Sequence, residues 1–74
     1  MVAEFVGACR DANGGNADEK YIGSGYKKED CLKECIRRKE TGCLYWQSDG
    51  WCGYYTGNVV KGTGLSEFTC WKLA

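Results

Sequence analysis

The sequence predicts a small α+β fold: one α-helix packed on an antiparallel β-sheet, held by three disulfides. Three observations lead there. Six cysteines fall in 74 residues, with no histidine and no Cys-x-x-Cys, and this reads as a disulfide framework formed in an oxidising compartment. One segment, starting near Lys27 or Lys28 and running to about Glu40, combines helical spacing with charges suited to both helix ends. Around it lie aromatic and β-branched runs separated by Gly, Asn and Asp, the pattern of strands and turns. Domains below about 80 residues bury little core and usually need such staples. A single domain over residues 1–74 is expected.

Residues 2–10, VAEFVGACR, hold enough Val, Phe and Ala for a strand. Its alternation puts Ala3, Phe5, Gly7 and Cys9 on one face, with Phe5 and Cys9 toward the core. DANGGNADEK follows as a loop, because Asn-Gly and Gly-Gly tolerate positive φ. It is not a calcium loop. Counting from Asp11, an EF-hand would need glycine at Asn16 and glutamate at Ile22. YIGSGY reads as an edge strand leading into a turn.

In the helix, Glu29 and Asp30 occupy the first turn and Arg37, Arg38 and Lys39 the last, and Gly42 is placed to end it. Glu29–Lys33 and Glu34–Arg38 are i,i+4 pairs in the favourable order. Cys31, Leu32, Cys35 and Ile36 form the expected buried stripe, and the remaining charges read as a solvated face.

GCLYWQS is the clearest strand, with Cys43, Tyr45 and Gln47 facing one way and Leu44 and Trp46 the other. Ser-Asp-Gly makes a turn into WCGYYTG, so residues 43–56 form a hairpin. NVVKGTGLS is a glycine-rich connection, and EFTCWKL is the last strand. There is no proline, no internal repeat and no Asn-x-Ser/Thr sequon.

Several functions are disfavoured. Ten basic and ten acidic residues cancel, so no net charge draws the chain to nucleic acid. No run of 18 apolar residues offers a membrane span. Residues 1–8 are too short for a signal peptide and lack a basic start, so secretion would imply a leader already removed. Zinc is disfavoured because only Cys31 and Cys35 have ligand-like spacing, and no cofactor or metal is expected. Without histidine, neither a Ser-His-Asp nor a Cys-His nucleophile can be assembled, and bonded cysteines leave no thiolate. Gly23-Ser24-Gly25 is only a faint anion-site signal. A non-enzyme is expected.

Six cysteines permit 15 connectivities, and the residues alone do not choose among them. The order of motifs, however, resembles the PAN/apple domain family, which takes in the N-terminal domains of plasminogen and hepatocyte growth factor. The resemblance rests on Cys31-x-x-x-Cys35 in a helix, Gly42-Cys43 followed by Trp46, Cys52 near a tyrosine, and Cys70 before an aromatic. It covers Lys27 to Lys72 well, with Cys9 as a looser match. It implies the pairings Cys9–Cys70, Cys31–Cys52 and Cys35–Cys43, a single helix across an antiparallel sheet, and binding of proteins or carbohydrates. The stretch between Cys9 and Cys31 is shorter than the family pattern, and the connecting loops are richer in glycine.

Eight tyrosines and tryptophans in a chain this small cannot all be hidden. Trp46 is expected in the core. Tyr54 and Tyr55 must point to opposite faces of their strand. Trp51, Tyr54 and Tyr55 are therefore the candidate contact residues, with Gln47, Asp49, Asn58 and Lys61 as hydrogen-bonding neighbours. The same rings would also serve simply to cover a thin core. The expected function is a secreted, extracellular, monomeric recognition module for carbohydrate or an extracellular protein. Two rivals stand beside it. One is a small secreted effector, either a toxin-like peptide or a protease inhibitor presenting Lys61; the other is an adhesive matrix component.

Overall fold

The computed structural model describes residues 2–15 and 19–73. In chain order its elements are β1 (Val2–Val6), β2 (Cys9–Arg10), β3 (Glu19–Gly23), α1 (Lys28–Arg38), β4 (Gly42–Trp46), β5 (Trp51–Tyr55), β6 (Lys61–Gly62) and β7 (Phe68–Leu73). Five strands form one antiparallel sheet in the order β1-β7-β4-β5-β3, and β2 and β6 make a separate ribbon. Helix α1 packs over β4 and β5. The fold is α+β and disulfide-rich, as the sequence predicts. Among the described residues, no helix is long and apolar enough to cross a membrane.

The expected strand over residues 2–10 is in fact two. Gly7, at φ +106°, turns the chain out of β1, a conformation open to glycine because it has no Cβ. Cys9 then joins the ribbon opposite Gly62. The expected loop over residues 11–20 is also shorter. Asp11 Oδ1 accepts the N–H groups of Asn13 and Gly15, each at 2.9 Å, but Glu19 and Lys20 already pair with Tyr55 and Tyr54. The middle of that loop, Asn16, Ala17 and Asp18, lies outside the described residues.

The helix buries a narrower stripe than expected. Cys31 and Cys35 are fully buried, Leu32 is half-buried and Ile36 is 50% exposed. At about 100° per residue, Leu32 lies roughly 80° and Ile36 roughly 120° from the centre of the cysteine stripe. Of the expected helix pairs, Glu34–Arg38 forms at 2.8 Å, and Arg37 joins the same carboxylate. Nor does Gly42 end the helix. Lys39 takes the left-handed position at φ 58°. Gly42 belongs to β4, where a Cβ would fall 2.7 Å from Val59 Cγ2 and 3.3 Å from the Trp71 carbonyl oxygen.

The centre of the sheet is buried on both faces. On the helix side, Cys31, Cys35, Cys43, Cys52 and Trp71 form one cluster, flanked by Tyr26, Leu32, Tyr45 and Tyr54. On the other side, Cys9, Leu44, Tyr55, Val59 and Cys70 form a second, with Phe5, Ala8, Trp51 and Phe68 packed against it. Directly opposed residues of antiparallel strands share a face, so the registers assign the residues of the five-stranded sheet to one face or the other. Trp71 sits opposite Glu4, and its Nε1–H donates to Glu4 Oε1 at 3.0 Å.

The disulfides are Cys9–Cys70, Cys31–Cys52 and Cys35–Cys43, spanning 61, 21 and 8 residues. In the chain-entropy model such loops are worth roughly 4, 3 and 2.5 kcal/mol taken singly. Because they are nested, these figures do not add.

Candidate functional site

Three of the chain's aromatics line up across the hairpin-turn end of the sheet. Phe68 lies opposite Trp46, and Trp46 lies opposite Trp51, so all three project from the face that α1 does not cover. The Trp46 and Phe68 rings stack, with centroids 5.6 Å apart and planes at 16°. On the edge strand, Tyr21 lies opposite Gly53 and therefore on this same face. Its ring meets that of Trp51 at 5.7 Å, tilted by 36°. The result is a row of four rings, Phe68, Trp46, Trp51 and Tyr21, carried by four adjacent strands. At a strand spacing of about 4.8 Å the row extends roughly 14 Å.

Gly53 makes the Trp51–Tyr21 end possible. A Cβ there would lie 2.3 Å from Trp51 Cη2, so the indole occupies the space a side chain would take. Exposure rises toward the sheet edge: Phe68, Trp46 and Trp51 are half-buried, whereas Tyr21 is 62% exposed. Cys9 and Val59 close part of this face, and Trp51 and Phe68 of the aromatic row pack against the cluster to which those two belong.

Polar groups border the row at the hairpin turn. Gln47 and Asp49 are exposed there. Asp49 Oδ1 accepts the Trp51 N–H at 3.0 Å, which holds the turn against the start of β5. The Gln47 N–H donates to the Glu67 carbonyl oxygen at 3.1 Å, bringing the exposed Glu67 to the same rim.

The residues singled out from sequence do not converge on one place. Trp51 is in the row, with Gln47 and Asp49 beside it. Tyr55 is corrected: it is 1% exposed under Val59 and Cys9, and burial pushes its phenol up to about 12. It is core, not contact surface. Tyr54 points to the helix side, half-buried, with the Arg38 guanidinium 5.8 Å from its ring centre. Asn58 is exposed but follows the far end of β5, the strand whose first residue is Trp51. Trp46, expected in the core, is half-buried. Its indole Nε1 is closed off and has no hydrogen-bond partner among the described residues. Tyr21, Trp46 and Phe68 as a set with Trp51 were not foreseen, because only the register of distant strands joins them.

A shallow cleft of about 600 Å³ lies between the turn before α1 and the helix, lined by Ser24, Tyr26, Asp30, Lys33, Glu34 and Arg37. Its charges answer one another. Hydrogen bonds from Arg37 and then Arg38 hold the Glu34 carboxyl down to about 2. This is the solvated helix face anticipated from sequence. In comparisons with protein-family models, curated proteins and solved structures, no match to this chain was found.

Proposed function

We propose that this protein is a non-catalytic extracellular recognition module that binds carbohydrate, free or on a glycoprotein, along the row formed by Phe68, Trp46, Trp51 and Tyr21. The row itself carries the reading. A row of rings carried on a sheet offers apolar surface to the apolar faces of sugar rings, and it loses little entropy on binding because each strand already holds its ring. Gln47, Asp49 and Glu67 supply hydrogen-bonding groups at the border, where hydroxyls of a bound sugar would lie. Three disulfides suit an oxidising, extracellular setting. The PAN/apple-like order of cysteines agrees with a recognition role.

The inhibitor reading has less support. Lys61 lies in the β2–β6 ribbon opposite Arg10, with the neighbouring Val60 N–H bonded to the Arg10 carbonyl oxygen at 3.0 Å. It is not the tip of a free loop.

The test is a glycan array probed with the whole chain, followed by titration of the strongest ligand. Trp51→Ala and Tyr21→Ala each should weaken binding about tenfold. Tyr54→Ala, on the helix side, should leave it within twofold. Binding that survives both row variants would place the ligand elsewhere.

A further inference from the structure

We propose that Cys31, Cys35, Cys43 and Cys52 become a tetrathiolate site for one zinc-class cation when their two disulfides are reduced. The Sγ atoms of all four lie within 4.8 Å of one another, and every one of these residues is fully buried. Cys31 and Cys43, which are not bonded to each other, bring their sulfurs to 3.6 Å. Both disulfides thus share one space between α1 and the β4–β5 hairpin.

A tetrahedral zinc–sulfur centre has bonds of about 2.3 Å, which sets its sulfur–sulfur edges at about 3.8 Å. The unbonded sulfur pairs already stand near that length, with Cys31 and Cys43 at 3.6 Å and none beyond 4.8 Å. Only the two bonded pairs have to part. The sequence spacing that argued against zinc is answered by the register. Cys43 and Cys52 are distant along the chain, yet Cys52 lies opposite Tyr45, two positions from Cys43 on the neighbouring strand. The hairpin supplies the second close pair that a linear motif would need, and Cys31-x-x-x-Cys35 supplies the first.

The chemistry balances with a dithiol as the reductant. Each disulfide takes two electrons and two protons and becomes two thiols, while the dithiol becomes a disulfide. The cation then forms four metal–sulfur bonds and displaces four protons, with no change of oxidation state. Soft thiolates select zinc-class ions over magnesium or calcium. Without metal, the carbonyl oxygens of Leu44 and Gly53, at 3.4 and 3.5 Å from the sulfurs of Cys31 and Cys35, would accept the thiol protons. The cation therefore competes with protons for the sulfurs, and the flanking Leu32, Tyr45 and Trp71 shield the space from water.

The test uses the whole chain, reduced anaerobically with a tertiary phosphine, freed of reductant and titrated with Co²⁺. One Co²⁺ per chain should bind, with the visible bands of a tetrahedral thiolate centre, and Zn²⁺ should bleach them. A chain carrying Cys9→Ser and Cys70→Ser should keep the bands. One carrying Cys31→Ser and Cys35→Ser should lose them. Binding and folding are linked in such sites, so a reduced chain that is unfolded before titration still gives a decisive reading. Absence of the bands, a stoichiometry other than one, or bands that persist in the Cys31→Ser, Cys35→Ser chain would each overturn the proposal.

Discussion

The indole of Trp51 lies over Gly53 so closely that a Cβ at Gly53 would meet its Cη2 at 2.3 Å and its Cζ3 at 2.6 Å. The missing side chain lets the ring extend along β5 toward Tyr21. Gly53→Ala should therefore act as an indirect Trp51 variant. Overpacking of this kind costs roughly 1–3 kcal/mol, which denaturant unfolding would report. Binding of the array-selected glycan should fall about as far as in Trp51→Ala, although every aromatic is retained. Unchanged affinity in Gly53→Ala would separate the ligand from Trp51.

Tyr55 gives the fold an alkaline limit. Burial, and after it the charge of Glu19, raises its phenol from the ordinary 10.0 to about 12. The neutral phenol is the form that the folded chain prefers. Its stabilising effect is thus complete below pH 10 and is lost as the pH rises from 10 toward 12. A shift of this size corresponds to about 2–3 kcal/mol at most. Tyr55→Phe lacks the titrating group. The difference in unfolding free energy between the two chains should be flat up to pH 10 and should then move against the wild type. A difference that stays flat to pH 12 would mean that water reaches the phenol.

The strands and the helix were legible because each is written locally. Alternation in GCLYWQS assigned Leu44 and Trp46 to one face and Cys43 and Tyr45 to the other, and the registers agree. It also told Tyr54 from Tyr55 by face. What it did not tell was which face would be closed, since that depends on Val59 and Cys9 returning over Tyr55. The aromatic row was invisible for the same reason. Trp46 and Phe68 are neighbours only through the β4–β7 register, and Tyr21 reaches Trp51 only across the bulged β3–β5 pair. Gly42 misled because a glycine after a helix usually caps it, whereas here the close approach of Val59 and the Trp71 backbone requires it.

That substitution of roles leaves Lys39 in a left-handed conformation at φ 58°, with its N–H bonded to the Ile36 carbonyl oxygen at 3.0 Å. A side chain in this region costs roughly 1–2 kcal/mol relative to the right-handed form, and glycine escapes most of that cost at the price of greater freedom in the unfolded chain. Lys39→Gly should stabilise the protein by about 0.5–1 kcal/mol. The gain should appear as a higher denaturant midpoint with an unchanged slope. Lys39→Ala, which keeps the Cβ, should show no such gain, so the pair of variants isolates backbone strain from loss of charge.

The outer disulfide has the largest entropic reach, because it joins Cys9 to Cys70 across 61 residues while Cys35–Cys43 spans 8. Its loss also unties structure. Cys9 and Cys70 belong to the cluster that includes Leu44, Tyr55 and Val59, on the face away from α1, and β1 is an edge strand whose partner in the sheet is β7. Replacing Cys9 and Cys70 together by alanine should cost about 4 kcal/mol, against about 2.5 kcal/mol for Cys35 and Cys43. Packing separates the two cases in the same direction as loop length. The inner pair sits beside Cys31–Cys52, which still fastens α1 to β5 when Cys35–Cys43 is gone, whereas no second bridge ties the β2 ribbon to β7. Unfolding free energies of the two double variants, measured under oxidising conditions, should therefore rank with the outer pair as the more costly loss. The reverse ranking would show that the helix-to-hairpin staple, and not closure of the terminal strands, is what the fold depends on most.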